Sequence, residues 1–120
     1  SEREMSVYQQ QVADDIQSCK KYLLAGEYAR YFKTVRAIVV AYLEKRFHLA
    51  ISEQGYTVLE KVSPHGTRWV DILSRLDRAI EAVAYGGYAM NDDERKRLVR
   101  AIERTINTDI NEQTEKIENA

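Results

Sequence analysis

Residues 27–49 read EYARYFKTVRAIVVAYLEKRFHL, and this stretch decides the fold. Tyr28, Tyr31, Phe32, Val35, Ile38, Val39, Tyr42 and Leu43 recur at steps of three and four. That spacing places them on one face at 3.6 residues per turn. From Ala37 to Leu43 every position is apolar. A helix apolar on all sides is normally buried by its neighbours. The expectation is a helix over about 27–49 that forms the axis of an all-α bundle, with no wet side around Val39.

Working outward, Gly26 is a natural stop for a preceding helix over about 4–25. Its stripe is Met5, Tyr8, Val12, Ile16, Cys19 and Leu23. Beyond Leu49 the periodicity breaks. Thr57-Val-Leu-Glu60 matches a capping box and predicts a short helix, stopped near Ser63-Pro64-His65-Gly66. The next helix carries Trp69, Ile72, Leu73, Leu76, Ile80 and Val83 and ends at Gly86-Gly87. Asn91-Asp-Asp-Glu94 opens the last helix, because an Asn cap and early acids suit a helix N-terminus. Leu98, Ile102, Ile106 and Ile110 form its stripe, and residues 109–120 are expected to fray or project. The fold class is a single all-α domain over 1–120: four main helices plus one short connecting helix. A faint tetratricopeptide-like junction at 20–33 has no second copy about 34 residues on, so a repeat array is not expected.

The 120 residues suit one domain. The 18 Lys+Arg against 19 Asp+Glu weigh against a dedicated nucleic-acid binder. One cysteine excludes an internal disulfide and fits a reducing, cytoplasmic compartment. The longest apolar run is seven residues, against about 20 needed to span a bilayer. The polar start resembles no signal peptide. Ser1 in place of Met fits a soluble piece cut from a longer, membrane-attached protein.

Chemistry-bearing patterns are scarce. His48 and His65 share no motif with a nucleophile and read as surface or capping residues. Neither has the arginine five to seven positions upstream, at 41–43 or 58–60, that the R-x4–6-H motif of short helical ribonucleases requires. No H-x-x-x-H, C-x-x-C or E-x-x-H occurs, and the Asp14-Asp15 and Asp92-Asp93 neighbours diverge by about 100° on a helix. Gly86-Gly87 lacks a P-loop's Lys-Ser/Thr. The expectation is no enzyme, no metal and no cofactor. Arg46 falls in line with the apolar face, where an unpaired guanidinium would be costly. Glu60 is its expected partner, with Glu53 the alternative. Lys96, Arg97, Arg100 and Arg104 form a basic ridge opposite Leu98 and Ile102, diluted by nearby Asp92, Asp93, Glu94 and Glu103. Tyr85 and Tyr88 flank the double glycine, either sealing the turn or exposed for recognition.

Residues 22–49 also resemble the segment G-D-x-x-x-Y/F-F-x-x-V/L-x-x-x-L-R-x-Y-L/I-E-x-R-F-G-L. That segment occurs in cytosolic helical domains of BatD-like aerotolerance proteins and of related membrane-anchored proteins encoded beside MoxR-type AAA+ ATPases. Tyr31-Phe32, Tyr42-Leu43-Glu44 and Arg46-Phe47 carry the match. Looser similarity runs from Thr57-Glu60 through Leu73–Ala89 to Asp92–Ile106. His48 stands where that pattern has glycine, and Tyr85-Gly-Gly-Tyr88 replaces a basic-aromatic pair. The resemblance implies a non-enzymatic docking module at the cytoplasmic face of the inner membrane, with a MoxR-type ATPase or a von Willebrand factor A protein as partner. A small nucleic-acid-binding or regulatory protein using the basic ridge is the alternative. The oligomeric state is not encoded in any motif.

Overall fold

A computed structural model describes residues 1–86 and 90–120. Four long helices carry it: α1 (Glu2–Ser18), α3 (Tyr28–Phe47), α6 (Gly66–Tyr85) and α7 (Asp92–Glu118). Three short ones link them: α2 (Lys20–Leu24), α4 (Ile51–Gln54) and α5 (Leu59–Val62). The fold is all-α, as the periodicity predicts. α1 packs on α3 and α7, and α6 packs on the same two, so the long helices close a four-sided bundle. The molecule measures 50 × 30 × 20 Å, elongated along the helices.

The central stretch is one wall of this bundle rather than its axis. Tyr31, Phe32, Val35, Val39, Tyr42 and Leu43 are buried, whereas Ala37 and Ala41 are exposed and Ile38 and Val40 half-buried. The expectation of a segment without a wet side is therefore overturned. In a four-sided bundle each helix has two neighbours, and its outer edge meets water whatever residues it carries. Small alanines tolerate that edge at little cost, since scattered apolar surface is normal on proteins.

Local signals explain most boundaries. Asn91 Oδ1 accepts from the Glu94 amide at 2.9 Å, the expected cap of α7. Ser1 and Glu4 form a capping box at the start of α1. The same four-residue pattern at Thr57–Glu60 does not. There the Glu60 amide donates to the Thr57 carbonyl at 3.2 Å, within a run of tight three-residue turns, so no donor remains for the hydroxyl. The expected single first helix divides at Cys19, where bonding tightens to Ile16 O. Ser18 Oγ bonds back to Asp14 O at 3.0 Å, a contact that bends helices.

α3 stops at His48, whose φ of 54° is the left-handed conformation. The Leu49 amide then reaches back to Glu44 O at 3.1 Å, a Schellman-type wrap. An L-residue there costs roughly 1–2 kcal/mol, against roughly 0.4–1 kcal/mol of extra unfolded-state entropy for glycine. His48→Gly is therefore expected to stabilise the protein by roughly 0.5–1 kcal/mol, read as a higher urea midpoint. A lower midpoint would show that the exposed imidazole makes contacts worth more than the backbone strain.

The last helix is longer than expected. α7 runs unbroken to Glu118, with Asp109 and Gln113 buried beneath it. Gln113 Nε2 donates to Glu2 O at 3.3 Å, tying this end to the start of α1. Residues 109–113 of the predicted tail belong to the bundle, because their core-facing positions are polar and hydrogen-bonded rather than apolar. Residues 114–118 continue the helix but project, mostly exposed, as expected.

Candidate functional site

Two polar constellations stand out, one inside the bundle and one on its surface. The inner one centres on Asp109, which is 0% exposed. Tyr42 Oη donates to its Oδ2 at 2.8 Å and Trp69 Nε1 to the same oxygen at 3.2 Å. Arg46 forms an ion pair with that oxygen and donates to Tyr42 Oη at 3.2 Å. Gln9 Nε2 donates to Tyr42 Oη at 3.0 Å. Each of the four long helices thus sends a side chain to one point. The expected Arg46–Glu60 pair is corrected here: Glu60 and Glu53 are both exposed, and the guanidinium turns inward to Asp109.

The electrostatics suit a structural clamp. Burial, then the Asp109 carboxylate, pushes the Tyr42 phenol well above its ordinary pKa, so it stays protonated and donates. Burial opposes the Arg46 charge, but Tyr42 and Asp109 outweigh it and the guanidinium's pKa rises. One helical turn beyond Asp109, His65 Nε2 contacts Glu112. Its carbonyl accepts from the Trp69 amide at 3.1 Å, so His65 caps α6 with its backbone and braces α7 with its ring. Among the described residues no three His, Cys, Asp or Glu side chains converge as a metal site would require. No described helix is long and apolar enough to cross a membrane.

The outer constellation is the ridge of α7. Lys96, Arg97, Arg100 and Arg104 are all exposed, and none of their side chains has an ion pair or hydrogen bond among the described residues. The acids expected to dilute them are largely engaged elsewhere. Asp92 bonds Arg95 at 2.6 Å, Glu103 pairs with Lys20 at 2.6 Å, and Glu94 accepts from Asn91. Asp93 remains exposed within the ridge with no ion pair among the described residues. Steps of 100° spread Lys96, Arg100, Arg104 and Arg97 over about 100° of the helix surface.

Beside the ridge, the apolar stripes run out past the core. Leu24 at the end of α2 is 91% exposed, Val83 in the last turns of α6 is 54% exposed, and Tyr85 is 85% exposed. Tyr28, predicted to face the core, is 38% exposed beneath the Arg95 guanidinium, which stacks 4.1 Å from its ring centre. Tyr85 points to solvent at the end of α6; Tyr88 lies outside the described residues.

Comparison with protein families, with curated proteins and with solved structures returns no match. The reading of this surface therefore rests on its own geometry.

Proposed function

We propose that this chain is a non-enzymatic protein-docking module whose contact surface is the α7 ridge. The observation that carries the reading is the division of charges. Inside the bundle, Arg46 and Asp109 are spent on one another. On α7, four cations stand exposed with no partner within the described chain. Such a ridge steers an acidic partner and sets the orientation of docking more than it supplies raw affinity. The helical architecture and the Tyr31-Phe32, Tyr42-Leu43-Glu44 and Arg46-Phe47 signature support a BatD-like membrane protein as the parent, acting with a MoxR-type AAA+ ATPase and von Willebrand factor A proteins. These signature residues pack the bundle, so they support kinship of fold and contribute no chemistry of their own.

Isothermal titration of the domain against a purified MoxR-type ATPase and a von Willebrand factor A protein tests the assignment. Binding is expected, and the Arg97→Glu/Arg100→Glu variant should weaken it by roughly tenfold or more while its circular dichroism stays unchanged. Absence of binding to either protein removes the BatD-like parentage. The same ridge also supports a nucleic-acid reading. Affinity for generic duplex DNA that falls steeply with salt would favour that reading over docking.

A further inference from the structure

We propose that the groove between α2 and the first turns of α7 receives an acidic amphipathic helix of a protein partner. The inference rests on the docking reading above and locates its anchor. The groove is a hollow of about 320 Å³ whose walls include Leu23, Leu24, Tyr28 and Val99, with Lys96 and Arg100 on its rim. The Tyr28–Arg95 stack separates it from a second apolar hollow bounded by Phe32, Val83 and Met90. Single exposed leucines need no explanation. Here, however, apolar side chains from α2, α3 and α6 line two adjoining hollows at one end of the bundle. An exposed apolar hollow rimmed by charge is a surface on which an amphipathic partner can dock.

Charge complementarity selects the occupant. Lys20 on the same wall is neutralised by Glu103, and Arg95 is held by Asp92. Lys96 and Arg100 are left to face the groove with no ion pair among the described residues. The occupant must therefore present apolar and anionic groups at the same time. Phosphate backbones lack the apolar part. A lipid surface has both but is flat and offers no fixed register, whereas this site is a shallow hollow with its cations at set positions. An amphipathic helix offers anchors at i, i+3 or i+4, and i+7, flanked by carboxylates, and helix-in-groove docking uses that spacing.

The test pans a displayed library of helical 16-residue peptides against the intact domain, with Leu24→Glu and Lys96→Glu/Arg100→Glu as parallel baits. Leu24 is almost wholly exposed, so its substitution spares the fold, which circular dichroism verifies. Enriched peptides are expected to carry net negative charge and an i, i+4, i+7 apolar stripe. Each groove variant should weaken the best of them by roughly tenfold or more. Peptides that are unpatterned or basic, or that bind Leu24→Glu as well as the parent, overturn the groove. If acidic peptides ignore Leu24→Glu yet fail on Arg97→Glu/Arg104→Glu, the groove is wrong and ridge docking stands. Vesicles of phosphatidylserine that bind the domain independently of Leu24, with no peptide enriched, would replace the protein partner with a membrane. No enrichment and no vesicle binding overturns the groove.

Discussion

Asp109→Ala is expected to lower the unfolding free energy by about 3–5 kcal/mol, the usual loss when one partner of a buried ion pair is removed. Three donors point at the missing oxygen: Arg46, the Tyr42 hydroxyl and the Trp69 indole. Neither Tyr42 nor Trp69 can turn to bulk water without leaving the core, because both are fully buried. Arg46→Ala should be comparably costly, since it leaves a fully buried carboxylate with two neutral donors and no counter-charge. Glu60→Ala, at the partner that sequence alone suggests, should move the urea midpoint by no more than a surface change does. The informative comparison is Arg46→Met with Asp109→Leu together. Asp109 Oδ1 and Gln9 Oε1 have no hydrogen-bond partner among the described residues, so the network is incompletely satisfied, and such networks are less favourable than a dry core. The double variant is therefore expected to be more stable than either single one. Equal midpoints for Asp109→Ala and the parent would refute the clamp.

The same residues show how far the sequence could be read. Arg46 in line with an apolar stripe was visible, because helical spacing is local. Its partner was not, because Asp109 lies on another helix and nothing local pairs them. A signal did exist: Asp109 and Gln113 continue the register of Leu98, Ile102 and Ile106, and Gln9 stands in step with Val12 and Ile16. A reading that follows hydrophobicity alone sees the stripe of α7 weaken and infers a tail. One that follows position would have asked what buried polar residues in three stripes do together. The wet edge of α3 was missed for the opposite reason, since alanine counts as apolar wherever it sits. The ridge cations were legible as a helical face, but their lack of partners was not, because it depends on Asp92 and Glu103 turning to Arg95 and Lys20.

Gly66→Ala is the second large effect, and its sign is opposite to the ordinary rule. Inside a helix, alanine in place of glycine usually stabilises by roughly 0.5–1 kcal/mol. Gly66 is the first residue of α6, its φ is not in the left-handed region, and the backbone itself would accept alanine. Space forbids it. A Cβ there would lie 1.8 Å from Leu59 O and 2.5 Å from Leu59 C, the backbone of α5 crossing over the helix start. No side-chain rotation relieves a clash with backbone, so α5 must lift. Leu59 is fully buried, and lifting it opens the core it fills. The expected loss is about 3 kcal/mol or more, at or beyond the top of the overpacking range. The displacement also reaches the polar clamp, because Trp69 follows Gly66 by one turn and His65 precedes it. The protein's single tryptophan reports this directly: its emission should shift to the red under native conditions. Gly26→Ala is the matched control. Its φ is 74° with open space around the added carbon, so only backbone strain of roughly 1–2 kcal/mol applies and Trp69 should be undisturbed. A Gly66→Ala protein as stable as the parent, with unchanged emission, would mean that α5 does not lie across the start of α6, and the packing of this end of the bundle would have to be redrawn.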